Sequence, residues 1–494
     1  MIEWRSLIQD LIQQSPLRRV YFNRQRWLLV ALAFLSLAVM TVGGGWLIAE
    51  FGALAVAALV AGMVYILWAL QNMEAAFLGV IAIVTLLPFG SLPFRIGFVP
   101  TFLDLTLLAL FGVWVLNLML SEEQEFIATP VGAAITAFAL LAIVAFVAGL
   151  SHGALTSYLI RHFAEVLLSI ALFFLVVNTV QDVGRLRRLM RWLILGAAMA
   201  SLVGIGLYLV PEAVAIRALS ALGRFGYPTG QGVLRYVRDD PELMKRATST
   251  SVDPNVLGSL LNLTLAMLAP QLVVKRPVFP RLVAFALAGV IGIGLVLTVS
   301  RSAMFGVALA VLIISLLRYR KLLPLIGLVL LAFLLSPWSQ GLIEHFVEGF
   351  LVEDLSTQMR MGEYKDTFIL IRRYPFLGVG FAGAPDIDIY VAVASVYLIV
   401  AAQMGLVGLA AFVVILGMVF WRFWQRRSLA STVPALEPLW YGLHAALIGG
   451  AISGVFDHFF FSLDFHHSVT LFWLIVGLAT ASTELLDGLA PEPT

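Results

Sequence analysis

What most constrains this chain is a succession of apolar runs, each near the length at which a helix crosses a lipid bilayer. They fall near 27–43, 46–70, 74–90, 101–120, 130–150, 160–178, 190–210, 253–274, 281–299, 302–317, 322–336, 394–421, 438–457 and 467–485, fourteen in all. A spanning helix needs about 20 mainly apolar residues, because in hydrocarbon every backbone amide must find its partner within its own segment. With 61% hydrophobic and 12% charged residues and a mean hydropathy of +0.98, the 494-residue chain lies outside the range of soluble globular domains. The expectation is an all-α polytopic membrane protein of about 12–14 transmembrane helices. The first run follows five arginines in 26 residues and has no small-residue cleavage pattern after it, so it reads as a retained span. Residues 2–14 place Trp4, Leu7, Ile8, Leu11 and Ile12 at helical spacing, as in a helix lying on the membrane surface or a short cap on the bundle.

The net charge of +2 says little about partners, but the distribution of charge sets an orientation. Basic residues cluster in alternate connections: Arg5, Arg18, Arg19, Arg24 and Arg26; Arg185, Arg187, Arg188 and Arg191; Lys275, Arg276 and Arg281; Arg318, Arg320 and Lys321; Arg422, Arg426 and Arg427. The positive-inside rule makes these cytoplasmic. Fourteen spans agree with every cluster and put both termini inside. The external connections are then 43–45, 89–100, 150–160, 211–252, 299–301, 337–393 and 457–466. Two are long, which points to function. The second is expected to fold over the outer face as a cap with helices around Gln340–Phe350 and Met359–Ile371, ending at a Gly378-Val379-Gly380 turn. The expected divisions are a cytoplasmic amphipathic segment 1–26, an N-terminal bundle 27–210, an external loop 211–252, helices 253–336, the cap 337–393, C-terminal helices 394–485 and a tail 486–494.

Three arginines, Arg246, Arg301 and Arg360, fall in external segments, where short loops normally carry few cations. An anionic ligand explains them best. Asp253 or Ser251 can cap the span that begins at Pro254, so that a helix N-terminus meets Arg246 and the hydroxyls of 248–251, a combination suited to phosphate. An ordinary capped helix with a solvated arginine is the plainer reading. Ser300-Arg301-Ser302 joins two spans with almost no loop, and an arginine there must snorkel or meet an anion. Arg360 can alternatively pair with Glu353 or Glu363, an arrangement worth little. Glu165 can pair with Arg161 one turn away. Asp386-Ile387-Asp388 spells a metal-binding D-x-D, but in an external loop it lacks the context of a nucleotide-sugar enzyme. Gly289, Gly292 and Gly294, with Gly449, Gly450 and Gly454, suit close helix packing. The absence of cysteine excludes disulfides, thiol nucleophiles and thiolate metal sites.

In order along the chain, Arg246, Asp253-Pro254-Asn255, Leu297-Thr298-Val299-Ser300-Arg301-Ser302-Ala303, Arg360 and Tyr374-Pro375-Phe376-Leu377-Gly378-Val379-Gly380 resemble the O-antigen ligase and O-antigen polymerase family. The likeness continues through Val396-Tyr397-Leu398, Met404-Gly405-Leu406-Val407-Gly408-Leu409 and Gly454-Val455-Phe456-Asp457-His458. It covers about 240–480 by motif and the whole chain by topology. The resemblance implies a GT-C-like fold in the inner membrane and metal-independent, inverting transfer of a glycan from polyprenyl diphosphate on the extracytoplasmic face, in polysaccharide biosynthesis for the cell envelope. The implied partners are a polyprenyl-diphosphate-linked oligosaccharide donor, a glycan or glycolipid acceptor and membrane lipid, with no cofactor, no metal and no nucleic acid. The implied substrate-binding residues are Arg246, Arg301, Arg360, Asn255 and Ser300. Arg246 and Arg301 stand where the family holds diphosphate, a task that suits the planar, permanently charged guanidinium.

One departure concerns the base. Where the family commonly carries His-Asn before Tyr-Leu, this chain has Ala394-Ser395. Candidate replacements are His458 or Asp457, His466 or His467, and Glu363 or Asp366, with His458 favoured. Attack with little base assistance is an alternative, since such catalysis contributes only about 10²–10⁴-fold. His152, His162, His345 and His444 are expected to be structural. Two other function classes remain: a transporter or flippase for a lipid-linked glycan, which would place ionisable groups near the midplane, and a catalytically lapsed assembly subunit.

Overall fold

The computed structural model describes residues 34, 35, 37, 38, 41–45, 49, 53–92, 98–120, 126–335, 355–383 and 393–489. The chain divides into two compact units, Met1–Trp68 and Ala69–Thr494. In the first, the residues from Ala53 onward belong to helix α1 (Ala53–Gln71). Residues 41–45 are helical as well, where a turn was expected at 43–45. Three glycines weaken a helix in water, but apolar surroundings offer the backbone no competing partner. The expected surface helix 2–14, the helix 340–350 and the acidic triplet 386–388 lie outside the described residues.

In the second unit each apolar run folds as a helix: α2 (Met73–Leu86), α3 (Phe102–Leu120), α4 (Pro130–Gly149), α5 (Ser157–Thr179), α6 (Val183–Leu209), α8 (Pro254–Leu268), α9 (Arg281–Leu297), α10 (Arg301–Leu317), α11 (Leu322–Leu334), α13 (Val396–Ala430), α14 (Glu437–Ser453) and α15 (His466–Leu489). Between them lie a short helix α7 (Glu212–Ser220), a two-stranded hairpin of β1 (Arg235–Tyr236) and β2 (Lys245–Arg246), and a polar helix α12 (Leu355–Arg373). Among the described residues seven helices are long and apolar enough to cross a membrane, and α2, α9, α10 and α11 are shorter apolar ones. The protein is an all-α polytopic membrane protein.

Side-chain oxygens cap the helices where the sequence supplies them. Asn72, Thr129, Thr156, Asp182, Asp253 and Ser395 each accept an amide of the following first turn, satisfying donors that the helix itself cannot. The core runs along α15, which is buried over nearly its whole length, as is α8. A helix apolar on all faces must be enclosed by others, and here α15 packs on α5 and α14, while α14 also holds α8 and α10. The glycines divide. A methyl at Gly449 would lie 2.5 Å from Asn262, and one at Gly294 would strike Ser201, whereas Gly289 and Gly292 meet nothing within 4 Å. The last two do not serve close packing between the described helices.

Candidate functional site

The site is assembled from four connections brought to the end of the bundle where α8, α10 and α15 begin. The hairpin pairs Arg235 with Arg246 and Tyr236 with Lys245, and directly after it the Ala247 amide donates to the Leu297 carbonyl at 2.8 Å, so β2 is tied to the end of α9. Asp253 caps α8, its Oδ1 accepting the amides of Asn255 at 2.7 Å and Val256 at 3.2 Å. Pro254 fits the first turn because that position has no helical partner for an amide. This places the Asn255 side chain opposite β2. Arg246 is fixed at two points, donating from Nε to the Thr298 carbonyl at 2.8 Å and from Nη2 to Asn255 Oδ1 at 2.6 Å. A guanidinium has five N–H donors, so the two bonds orient the fork and leave others for a ligand.

The corner between α9 and α10 is as short as the sequence implies. Helix α9 ends at Leu297, the Ser300 amide donates to Thr298 Oγ1 at 3.2 Å, and α10 begins at Arg301. Arg301 donates from Nη2 to Thr357 Oγ1 of α12 at 3.4 Å. One turn further along α12, Arg360 donates to the Phe456 carbonyl at 3.2 Å and lies 3.7 Å from Asp457 Oδ1. This carboxylate, in the connection between α14 and α15, is the ion-pair partner of Arg360 among the described residues, in place of the expected Glu363, while the alternative Glu353 lies outside them. Ser302 Oγ donates to the other oxygen of Asp457 and lies 3.2 Å from Ser300 Oγ.

Together these connections enclose a cavity of about 140 Å³ lined by Tyr236, Val237, Arg238, Asp239, Arg246, Asn255, Val299, Arg301, Ser302 and Arg360. Among the described residues the lining holds four arginines and one carboxylate, Asp239, so that part of the wall is cationic. Burial pushes Arg246 down to about 10, with Asp253 and Asp457 opposing the shift; the group stays charged at neutral pH and gains most from an incoming anion. The backbone here is unusual too. Among the described residues the non-glycine positions with positive φ are Arg238 (58°), Asp239 (54°), Ser249 (53°), Val252 (61°) and Val299 (52°), all in two of the segments that build the cavity, 235–255 and 297–302. For a β-branched valine this is a true outlier, and such strain gathers where a structure over-determines its geometry for a ligand.

Asp457 is buried, and burial raises its carboxyl to about 6 against the lowering effect of Arg360 and the Ser302 hydroxyl. Its proton affinity is therefore close to that of a base working near neutrality. His458 is held elsewhere. Its ring packs at 4.7 Å on Phe459 and 5.8 Å on Phe465, Nδ1 is buried without a hydrogen bond, and burial lowers its pKa. It is not among the described residues that line the cavity. Ser300 is buried behind Ser302 and is likewise not part of the wall.

The glycine motifs have a shared backbone role. Helix α13 breaks at Gly405, whose φ of 70° and ψ of −177° are open only to glycine. Its freed groups are met by the 374–380 turn: the Leu406 amide donates to the Pro375 carbonyl at 2.7 Å, and the Val379 and Gly380 amides donate to the Ala402 and Gln403 carbonyls at 2.8 and 3.0 Å. The end of α12 is thus locked to α13. Midway along α12, Glu363 Oε2 accepts the Ala394 amide at 3.2 Å and the Tyr364 hydroxyl donates to the Ala394 carbonyl at 3.2 Å. Burial raises Glu363.

Elsewhere His152 meets Tyr374 and the Val379 carbonyl, and His444 is buried between Phe423 and Trp440. At the opposite end of the bundle the basic clusters meet acids in ion pairs: Arg188 with Glu74, Arg318 with Glu437, and Arg422 with Glu484 and Asp487. Sequence reasoning missed Tyr236, Arg238 and Asp239. An arginine next to acids in a long loop was the available signal, but the left-handed conformation that turns 238 and 239 into the wall is set by the hairpin.

No curated protein matches the chain. Residues 283–413 match the model of a family described as O-Antigen ligase, a stretch that holds Arg301, Arg360, the 374–380 turn and the Gly405 break; Arg246, Asn255 and Asp457 lie outside it. The match supports membership of the O-antigen ligase/polymerase family and a function of that general type.

Proposed function

From the O-antigen ligase match over residues 283–413, we propose that this protein is an inverting glycosyltransferase, taking a glycan from a polyprenyl diphosphate and joining it to a sugar hydroxyl of a glycan or glycolipid acceptor at the extracytoplasmic face of the inner membrane. The observation that carries this reading is the convergence of Arg238, Arg246, Arg301 and Arg360 on one cavity. When the anomeric carbon–oxygen bond breaks, its electron pair passes to the diphosphate, and fixed cations positioned beforehand stabilise that developing charge without reorganising. Arg246 and Arg301 are the main diphosphate ligands, with Asn255 orienting Arg246, and Arg360 contacts phosphate or glycan from α12.

The acceptor oxygen attacks the anomeric carbon from the opposite side and must lose its proton. Asp457 receives it through Ser302 Oγ, which lines the cavity and already donates to the carboxylate; we assign the base role to Asp457 over His458 on this connection. Among the described residues of the apolar helices most acids and histidines lie toward the two ends, with Glu165 and His444 set deeper, and this distribution favours one-sided transfer over ion-coupled transport. The test incubates purified protein with a polyprenyl-diphosphate oligosaccharide and acceptor and follows release of polyprenyl diphosphate. Arg246→Ala and Arg301→Ala should each lower turnover by about 10²–10³-fold. Unchanged turnover in both would remove the diphosphate roles.

A further inference from the structure

A second cluster of chemistry-bearing groups lies apart from the arginine cavity, where α3, α5 and α15 begin. Asp104 sits in the first turn of α3, Glu165 two turns into α5, and His466 opens α15. One ligand atom from each lies within 4.8 Å of the other two. His466 Nδ1 is 3.7 Å from Asp104 Oδ1 and 3.8 Å from Glu165 Oε2. These separations exceed a hydrogen bond, yet they approach the ~3.4 Å spacing of atoms that share a tetrahedral ion at about 2.0–2.2 Å. The His466 side chain is only 9% exposed, no hydrogen bond reaches its ring among the described residues, and Nε2 is buried without a partner. A nine-tenths buried imidazole therefore aims a nitrogen between two carboxylate oxygens and bonds to neither.

The remaining contacts leave Asp104 Oδ1 available, while Glu165 Oε2 is shared with His162, whose Nδ1 lies 3.0 Å away. Arg161 donates from Nη2 to Asp104 Oδ2 at 3.1 Å and from Nε to Glu165 Oε1 at 2.7 Å, taking the oxygen of each carboxylate that faces away from His466. The same guanidinium fixes both orientations, as supporting residues do around metal ligands. His162 Nδ1, 3.0 Å from Glu165 Oε2 but without a hydrogen bond of acceptable geometry, stands beside the same oxygen. One imidazole and two carboxylates, with a fourth position for His162 or solvent, form a donor set for a borderline ion rather than a hard one.

We propose that Asp104 Oδ1, Glu165 Oε2 and His466 Nδ1 bind a single divalent transition-metal ion of the zinc class. The ion joins the first turns of α3 and α15 to a position two turns into α5. Because His466 directly follows the connection that carries Asp457, occupancy anchors one end of the segment that supplies the buried carboxylate. No step of glycosyl transfer runs through it, and the residues are separate from the arginine cavity, so this assignment stands or falls independently of the proposed activity.

The test uses untagged full-length protein in detergent, stripped with a chelator and titrated with Zn²⁺ for metal content and with Co²⁺ for its visible ligand-field bands. The expected result is one ion per chain, tetrahedral-type Co²⁺ absorption, and affinity lowered about a hundredfold or more in His466→Ala and Asp104→Asn. Wild-type protein that takes up neither ion near stoichiometry would overturn the proposal, as would binding unchanged in both variants. Should one variant fail to fold, the other and the wild-type spectrum decide.

Discussion

Asp457→Asn separates the chemistry from the fold through pH. In the folded protein burial raises this carboxyl from 3.8 to about 6. At pH 7 about nine-tenths of the free protein then carries the ionised base, and at pH 5 about one-tenth, so kcat/KM should fall roughly tenfold over that interval if Asp457 accepts the acceptor proton. Stability moves the other way. A carboxyl whose pKa is raised on folding contributes stability that is fully present below 3.8 and lost as pH rises through about 6. At about 1.4 kcal/mol per tenfold change in proton affinity, ionisation costs the fold about 3 kcal/mol. Roughly half of this appears between pH 5 and 8. Acidification should therefore lower activity while this one group adds to stability. Asparagine keeps an oxygen for Ser302, so the variant should fold, lose turnover by about 10²–10⁴-fold and lose the acidic limb. The assay pairs initial rates of polyprenyl diphosphate release with melting curves across pH 5–8, each taken as wild type minus variant. An acidic limb that persists in Asp457→Asn, or one that merely follows loss of folded protein, would refute the assignment.

Other substitutions probe the remaining parts. Arg246→Lys keeps the charge but cannot hold Asn255 and the Thr298 carbonyl while presenting a fork, and turnover should fall about a hundredfold with folding retained, measured by the same release assay. His458→Ala should change turnover by only a few-fold at pH 7; a hundredfold loss would return the base role to the histidine. Gly405→Ala would put a methyl 2.2 Å from the Phe376 carbonyl oxygen at a positive φ, so the turn must leave α13. We expect a lower melting temperature and little folded protein by size-exclusion chromatography.

The sequence by itself determined the helices, since apolar length and capping oxygens act locally: runs such as 130–150 and 467–485 became α4 and α15 within a few residues. It also marked Arg246, Arg301 and Arg360 as cations needing an anion. Tertiary structure decided what those side chains meet. That Arg360 pairs with Asp457 rather than a neighbour on its own helix, that Arg238 and Asp239 turn into the same cavity, and that Asp457 reaches Ser302 depend on segments about a hundred residues or more apart or on left-handed backbone. Hydrophobic periodicity and charge bias carry no record of such pairings, because burial raises Asp457 and fixes Arg246 only after α8, α10, α12 and the α14–α15 connection have closed around them.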